Sequence, residues 1–259
     1  MLAHERRDAI RKILEEEKNT TVERLAAEFS VSESTIRRDL DKMSGDGAVR
    51  RVYGGAFLLE NLASELPVTI REHENADAKQ IIAQEAVKLI RDGATVILDT
   101  SSTVTAMVPF LTGFEGLTVV TNSIKTAYLL NANGRITTYC TGGRLREHNM
   151  SLVGMTTCAR LAEINADIAF LSCKGFSLER GITEASEEEA QVKKAMIGAA
   201  AKTVLLCDST KFGRVLMNRV CGVGDLYAVV TDRPADVSYT GYFSSSGIKY
   251  ICGCENGGA

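Results

Sequence analysis

Apolar residues near the start of the chain recur with the period of an α-helix. The residues on one face of the first such segment are Val22, Leu25, Ala26 and Phe29. Thr20 stands before this face and Glu23 follows three residues later, which is the spacing of a capping box. The pattern therefore predicts a short amphipathic helix with Thr20 as its N-cap.

A second helical pattern follows after a Ser-Val-Ser turn. Its inward positions, spaced i, i+4 and i+7, are Ile36, Leu40 and Met43. Ser32 is placed to cap this helix, and Val31 and Ile36 are placed as a hydrophobic staple. The sequence Arg-Val-Tyr-Gly-Gly-Ala from Arg51 is typical of a short hairpin. Together these elements predict a winged helix-turn-helix in residues 1–57.

Hydroxyl and guanidinium groups remain on the outer face of the second helix and on the wing. Such groups donate to phosphates and base edges, so we expect this surface to bind operator DNA. The predicted DNA-binding residues are Thr21, Ser32, Ser34, Thr35, Arg37, Arg38, Lys42, Arg50, Arg51 and Tyr53. Residues 1–57 carry 11 Lys and Arg and 11 Asp and Glu, so the segment is neutral. The acids Glu15, Glu16 and Glu17 lie in the first helix, whereas the five basic residues named above cluster on the second helix and the wing, as expected of a DNA binder. The alternative is a helical interaction domain with a solvated charged face.

Beyond a polar connector at residues 58–76, helical and strand periods alternate along the chain. Predicted helices cover residues 78–91, 104–111, 123–130, 156–163 and 186–201. Predicted strands cover residues 95–98, 117–120, 136–140, 168–173, 204–207, 226–230 and 248–251. Alternating strands and helices predict an α/β domain with a mostly parallel sheet in residues 77–259.

Polar residues directly follow five consecutive predicted strands. These segments, which we call the rim, are residues 99–103, 121–123, 141–144, 174–175 and 208–211. Ligands of open α/β sheets bind where the carboxyl ends of the strands meet, so we expect the rim to form one site. Ordinary helix capping is the alternative explanation for any single loop.

The residue types of the rim favour a sugar phosphate as its ligand. Residues 100–103 are hydroxylated and precede a helix, whose N-terminus attracts anions. Lysine side chains add positive charge, and carboxylate or amide oxygens can bind hydroxyls. The predicted residues with these properties are Asp99, Thr100, Ser101, Ser102, Thr103, Asn122, Lys174, Asp208 and Lys211.

Composition places few further limits on function. The 259 residues, 45% hydrophobic and 24% charged, are ordinary for a globular protein of two domains. No run approaches the roughly 18 apolar residues of a membrane span, and the N-terminus lacks the apolar core of a signal peptide. We therefore expect a cytoplasmic protein with no membrane partner. The seven cysteines and three scattered histidines suggest reduced thiols, no metal and no cofactor, although a metal or redox role for Cys252 and Cys254 stays open.

Motifs in both parts of the chain resemble one family. In the first part they are Ser-Glu-Ser-Thr-Ile-Arg-Arg-Asp-Leu from Ser32 and Arg-Val-Tyr-Gly-Gly-Ala from Arg51. In the second part they are Leu-Asp-Thr-Ser-Ser-Thr from Leu98, Val-Thr-Asn-Ser from Val120, Thr-Gly-Gly from Thr141, Arg-Gly-Ile-Thr from Arg180, Glu-Glu-Glu-Ala from Glu187 and Asp-Ser-Thr-Lys-Phe-Gly from Asp208. These motifs span nearly the whole chain and resemble the DeoR family of bacterial transcriptional regulators. The effector domain of that family is similar in fold to ribose 5-phosphate isomerase.

The resemblance implies a repressor of a carbohydrate operon that a sugar phosphate releases from DNA. It also implies a homodimer or homotetramer. By the same resemblance, residues 100–103 hold the phosphate, while Asn122, Gly142, Gly143, Lys174 and Lys211 surround the sugar. The family often has glycine where this chain has Ser101.

Two other functions remain open at this point. Lys174 and the acids Glu187, Glu188 and Glu189 are compatible with an isomerase-like enzyme, although acids in a first helical turn also complement the helix dipole. The other alternative is a scaffold whose pocket no longer binds a ligand. Fold analogy alone does not establish activity, and we expect no catalytic residues.

Overall fold

The computed structural model describes most of the chain, in residues 2–17, 19–45, 49–52, 55–58, 68–132, 134–146 and 149–256. The chain divides into two compact units, Met1–Glu74 and Asn75–Ala259, and each is described by itself. The domain bounds expected from the sequence stay a prediction. Within the described part of the chain, no helix has the length and apolar character needed to cross a membrane.

The first unit contains a helical core and a small sheet. Its elements are α1 (Ala3–Glu17), β1 (Asn19–Thr21), α2 (Val22–Phe29), α3 (Glu33–Gly45), β2 (Val49–Val52), β3 (Gly55–Leu58) and α4 (Val68–Arg71). The strands form an antiparallel sheet in the order β1-β3-β2. Ile10 of α1, Leu25 of α2, and Ile36 and Leu40 of α3 are fully buried in one core. The predicted winged helix-turn-helix is confirmed.

The N-cap of α2 is Thr21, so the prediction of Thr20 is wrong by one residue. The Thr21 hydroxyl accepts a hydrogen bond from the backbone N–H of Arg24 at 3.2 Å. Thr20 lies within β1 opposite Ala56 of β3, and this pairing keeps it in the strand. A Cβ added at Gly55 would lie 2.4 Å from the Thr20 carbonyl oxygen, which explains the glycine at this close approach.

The second unit is built around one parallel sheet. Its helices are α5 (Ala76–Val87), α6 (Ser102–Thr105), α7 (Ile124–Asn131), α8 (Met155–Ala162), α9 (Glu187–Gly198) and α10 (Val237–Ser245). Its strands are β4 (Thr95–Leu98), β5 (Thr118–Thr121), β6 (Thr137–Cys140), β7 (Arg144–Arg146), β8 (Ser151–Val153), β9 (Ile168–Leu171), β10 (Gly175–Ser177), β11 (Gly181–Glu184), β12 (Thr203–Leu206), β13 (Asn218–Cys221), β14 (Ala228–Thr231) and β15 (Lys249–Cys252). Seven strands form a parallel sheet in the order β15-β14-β12-β9-β4-β5-β6. The predicted α/β domain is confirmed.

Helices cover both faces of the parallel sheet. In β4, Val96 and Leu98 pack into the core that includes α5, whereas Ile97 packs into the core that includes α8 and α9. In β9, Phe170 and Leu171 divide between the same two cores. Strands buried on both faces are continuously apolar, which is why their positions could be predicted from the sequence.

The order of the strands reverses beside β4. From β4 the chain adds β5 and β6 on one side, and it then places β9, β12, β14 and β15 on the other. In open α/β sheets such a reversal creates a crevice at the carboxyl ends of the two central strands, where ligands bind. The fold therefore points to the ends of β4 and β9.

Some elements differ from the sequence prediction. In the second unit, the β7–β8 hairpin, the antiparallel sheet β10-β11-β13 and helix α10 were not predicted. The strands among them have three or four residues and no long apolar run, so hydrophobic period does not reveal them. The single helix predicted at 104–111 is instead the short α6 followed by a 3₁₀ helix at Val108–Gly113. Pro109 lacks the N–H that an α-helical interior requires.

Candidate functional site

The N-terminus of α3 presents a group of hydroxyls. Ser32 precedes the helix, and its Oγ accepts a hydrogen bond from the backbone N–H of Thr35 at 3.3 Å. The same Oγ lies 2.9 Å from the Ser34 Oγ and 2.9 Å from the Thr35 Oγ1. Ser32 and Ser34 are exposed, as is Thr21 at the start of α2. These hydroxyls can therefore reach phosphates or base edges.

The predicted basic residues of α3 lie on the outer face of the helix. Arg38 and Lys42, four residues apart, are both exposed. Arg37 is partly exposed, and its Nη2 lies 2.9 Å from the Glu33 Oε2 in an i,i+4 ion pair. A solvent-exposed pair of this kind contributes about 0.3–0.5 kcal/mol, so a DNA phosphate can compete for the guanidinium.

The wing carries the remaining predicted DNA contacts. Arg50 and Arg51 belong to β2, which pairs with β3 in the hairpin. Their side chains, and the whole of Tyr53, lie outside the described residues. The roles of these three residues stay a prediction.

Asp39 of α3 is a structural residue that the sequence analysis did not identify. Its carboxylate is buried and lies 2.6 Å from the Arg6 Nε and 3.7 Å from the Arg7 Nη1, both on α1. The ion pair therefore connects α1 to the helix that carries the predicted DNA contacts. Asp39 directly precedes Leu40, an inward position of the helical pattern. This position next to the apolar face is the sequence feature that could have indicated burial of its carboxylate.

The five segments of the rim lie at the ends of five adjacent strands. In the order of the sheet these strands are β12, β9, β4, β5 and β6, all parallel. Ser172, which directly follows β9, connects the segments after β4 and β12. Its N–H donates to the Asp99 Oδ2 at 2.9 Å, and its Oγ accepts from the Lys211 Nζ at 3.1 Å. The structure thus places the five segments at one edge of the sheet.

Asp99 closes the crevice between β4 and β9. Its carboxylate accepts hydrogen bonds from the N–H and Oγ of Ser101, the N–H of Ser172 and the Nζ of Lys193. These donors use the full acceptor capacity of a carboxylate. Burial alone raises the pKa of Asp99, but Lys193 and the other donors outweigh burial and hold the pKa below its usual value. Asp99 therefore organises the loop, and a ligand hydroxyl could reach it only by displacing one of these donors.

Lys193 of α9 is the residue at this crevice that the sequence analysis missed. Its Nζ lies 2.7 Å from the Asp99 Oδ2 and 3.0 Å from the Glu184 Oε1, and it also donates to the Ser172 carbonyl. Burial lowers the pKa of Lys193, but the nearby carboxylates outweigh burial and raise the pKa above its usual value. The lysine is thus a fixed cation that connects β4, β9, β11 and α9.

The hydroxyl loop after β4 is held in place by its own side chains. The Ser101 Oγ accepts from the backbone N–H of Val104 at 3.2 Å and so caps α6. The Thr100 Oγ1 donates to the carbonyl of Asn149 at 3.1 Å, and Ser102 is buried. Serine at position 101, where the family often has glycine, thus supplies the helix cap.

Two buried oxygen atoms of the rim have no hydrogen-bond partner within the described residues. They are the Oγ1 of Thr103 and the Oδ1 of Asn122. The Asn122 Nδ2 donates to the Leu152 carbonyl at 3.1 Å, so the oxygen of the amide is the atom left over. A buried polar atom without a partner costs about 1–3 kcal/mol, which a water or a ligand can recover.

The β7–β8 hairpin lies against the ends of β4 and β5. Besides the bond from Thr100 to Asn149, the N–H of Leu152 donates to the Asn122 carbonyl at 2.7 Å. The hairpin is also fixed to α9, because the Glu189 Oε1 lies 2.6 Å from the Ser151 Oγ, 2.9 Å from the Arg146 Nη1 and 3.3 Å from the Asn149 Nδ2. The Glu188 carboxylate pairs with Arg144 of β7. These acids of the first turn of α9 therefore bind arginines of the hairpin.

Gly142 and Gly143 allow a sharp turn after β6. Their φ angles are +71° and +121°, in a region that side-chain-bearing residues rarely adopt. A Cβ at Gly143 would lie 2.1 Å from the Thr157 Oγ1 and 2.8 Å from the Val153 carbonyl oxygen. The Thr157 Oγ1 also donates to the Gly142 carbonyl at 2.7 Å. The turn thus packs directly against the start of α8.

The positive charge of Lys211 is balanced within the protein. Its Nζ lies 3.1 Å from the Asp208 Oδ2. Burial lowers the pKa of Lys211, but the Asp208 carboxylate outweighs burial and holds that pKa above its usual value. Burial raises the pKa of Asp208, but Lys211 outweighs burial and holds that pKa below its usual value. Lys174, on the neighbouring segment, is partly exposed. The rim therefore offers an ion pair and hydroxyl, amide and backbone groups, and the described residues contain no group of three His, Cys, Asp or Glu suited to a metal.

Comparisons with protein families match both units. The DeoR-like helix-turn-helix domain matches residues 6–61, and the DeoR C terminal sensor domain matches residues 74–233. The second match covers more than half of the chain. It includes every segment of the rim.

Relatives of known sequence extend over nearly the whole chain. The uncharacterized HTH-type transcriptional regulator YulB of Bacillus subtilis is 36% identical over 91% of this chain and 91% of its own length. The HTH-type transcriptional repressor GlcR of the same organism is 32% identical over 97% of this chain and 96% of its own. Among solved structures, ribose 5-phosphate isomerase A from Methanocaldococcus jannaschii is similar to part of the chain. It shares 22% identity over 53% of this chain and 55% of its own, with a TM-score of 0.39. The chain is a DNA-binding transcriptional regulator, and it belongs to the DeoR family.

Proposed function

We propose that this regulator represses a carbohydrate-metabolism operon and that a sugar phosphate releases it from operator DNA. The observation that carries the proposal is the polar rim with two unsatisfied buried oxygens, on Thr103 and Asn122. A ligand with several hydroxyls can donate to both oxygens and recover the cost of their burial. The name of GlcR, a transcriptional repressor, supports repression over activation.

The phosphate of the ligand is assigned to residues 100–103. Backbone N–H groups in a first helical turn and nearby lysines form charge-assisted hydrogen bonds with phosphate oxygens. The Lys211 Nζ, which pairs with Asp208, can donate a further hydrogen bond to the phosphate. Lys174 lies on the adjoining segment. Asn122, Gly142 and Gly143 are assigned to the sugar. Asp99 holds the loop in place by accepting hydrogen bonds from the N–H groups of Ser101 and Ser172.

Release from DNA requires that the ligand distinguish two arrangements of the oligomer. Helix-turn-helix proteins present two recognition helices to paired half-sites, whose spacing must fit the protein. The sugar phosphate shifts the equilibrium away from the DNA-binding arrangement only by its difference in affinity for the two states. A coupling free energy of about 1–3 kcal/mol is typical for such regulators.

Calorimetry of the full chain with a panel of sugar phosphates tests this function. The panel includes each unphosphorylated sugar and inorganic phosphate as controls. We expect one sugar phosphate to bind and to release operator DNA in a parallel gel-shift titration, while its parent sugar does neither. Binding of no sugar phosphate would favour a scaffold with an inactive pocket, and equal binding of the free sugar would remove the phosphate from the assignment.

A further inference from the structure

β6 forms one edge of the parallel sheet, and no other described strand pairs with its outer side. The N–H groups of Thr137 and Thr141 donate inward to β5. Backbone groups of a strand alternate in direction, so the N–H and C=O groups of Thr138 and Cys140 point away from β5. Two residues of this edge therefore have backbone groups that pair with no other described strand.

Among the residues that the structure describes, this edge shows none of the devices that usually protect an exposed strand. Free edges are normally blunted by lysine, proline, a bulge or a covering element. The four residues of β6, Thr137–Cys140, include neither proline nor charge. Tyr139 is 48% exposed, and α7, which packs beside β6, exposes Tyr128 (78%) and Leu129 (39%). An uncharged edge next to exposed apolar side chains is typical of an interaction surface.

We propose that β6 pairs antiparallel with β6 of a second copy of this chain. Tyr139 lies at the twofold axis, opposite Tyr139 of the partner subunit. Thr138 is then opposite Cys140 of the partner subunit, and the outward N–H and C=O groups of both residues hydrogen-bond across the interface. The two parallel sheets become one continuous sheet.

The chemistry of the strand favours a second copy over another partner. Self-pairing of β6 brings no like charges together, whereas a charged peptide would find no complementary charge on Thr137–Cys140. A symmetric pair also supplies two recognition helices, as paired half-sites require. The inference does not depend on the sugar phosphate, so a failed effector titration leaves it intact.

Proline at position 138 tests the interface. The N–H of Thr138 points outward, and proline is tolerated on edge strands, so Thr138→Pro removes a donor of the interface and no bond of the sheet. Light scattering should show that the wild-type full chain is a dimer or a tetramer. If it is a tetramer, the variant should be a dimer. If it is a dimer, the dissociation constant of the variant should be about tenfold higher or more. Val237→Ala, at a position 86% exposed on α10, should change neither the oligomer nor the unfolding curve.

A disulfide at the twofold axis provides an independent test that does not require the proline variant to fold. In a Cys140→Ser, Cys254→Ser background, Tyr139→Cys places two thiols at a non-hydrogen-bonded pair, where the Cα atoms lie about 4.5 Å apart and a disulfide can form. Mild oxidation should give a covalent dimer, and the exposed control Val237→Cys should not. A monomeric wild type, or an oligomer in which Tyr139→Cys fails to cross-link, would overturn the proposal.

Discussion

At the scale of single residues, Lys193 balances two buried carboxylates at the centre of the effector domain. The carboxylates of Asp99 and Glu184 lie 2.7 Å and 3.0 Å from its Nζ. Removing one partner from a buried ion pair leaves an uncompensated charge, which costs more than the intact pair contributes. The main cost of removing Lys193 is therefore the unpaired charge left on the buried carboxylates, rather than the loss of a favourable contribution from the ion pairs themselves.

Lys193→Met should lower the free energy of unfolding by about 3–5 kcal/mol at pH 7. Asp99 has a lower pKa in the folded chain than in the unfolded one, so its contribution to stability is present above the unfolded pKa and is lost as pH falls through the folded pKa. Protonation of Asp99 at low pH also removes an unpaired charge of the variant. Urea unfolding should therefore show a smaller difference between variant and wild type at about pH 4 than at pH 7. Lys194→Met, on the exposed side of α9, is the control and should have little effect.

Neighbouring threonines at the start of α2 should respond in opposite ways to substitution. Thr21 caps the helix, so Thr21→Ala should cost about 1 kcal/mol. The Oγ1 of Thr20 is buried without a partner among the described residues, so Thr20→Val should cost nothing or stabilise the domain. Thermal unfolding of both variants distinguishes the cap from its neighbour. Equal loss in the two variants would contradict the assignment.

At the scale of elements, burial on both faces made the central parallel strands predictable. The residues predicted for β4, 95–98, coincide with the observed Thr95–Leu98. In contrast, β7 reads Arg-Leu-Arg and its arginines pair with acids of α9, so its strand character depends on contacts that the local sequence does not contain. Alternation of strands and helices was enough to place the rim at one edge. It could not identify Lys193, which lies 94 residues from the Asp99 that it binds.

The element that we expect to recognise operator DNA is α3. Arg37→Ala with Arg38→Ala should abolish specific binding, because each lost base contact costs about 1–3 kcal/mol and each lost phosphate contact lowers the salt slope by about one. The variant should fold normally, since Ile36 and Leu40 carry the core contacts of the helix. Gel-shift titrations at two salt concentrations provide the measurement.

The matched control for this variant is Arg11→Ala with Lys12→Ala on α1. Both side chains are exposed, and the double change removes the same formal charge. If the control weakens binding as much as the α3 variant does, the effect is one of net charge and α3 is not the recognition helix. Unchanged affinity in the α3 variant leads to the same conclusion.

At the scale of the whole molecule, regulation requires the two units to share one equilibrium. Coupling between effector and operator is reciprocal: if the sugar phosphate weakens DNA binding by a given factor, DNA weakens sugar phosphate binding by the same factor. The antiparallel pairing proposed for β6 would place two effector sites in one continuous sheet. An effector could then act on the spacing of two recognition helices without contacting DNA.

Ser102→Glu should uncouple the effector from the operator. The substitution places a carboxylate in the loop assigned to the phosphate, where it occupies the position of the anion and repels the ligand. Because Ser102 is buried, Ser102→Gln is needed as a control for side-chain volume. We expect Ser102→Glu to bind operator normally and to remain bound when sugar phosphate is added, whereas Ser102→Gln keeps part of the response. Calorimetry and gel-shift titration of both variants measure this difference. Equal loss in the two would assign the effect to volume, and a full response from Ser102→Glu would place the phosphate elsewhere.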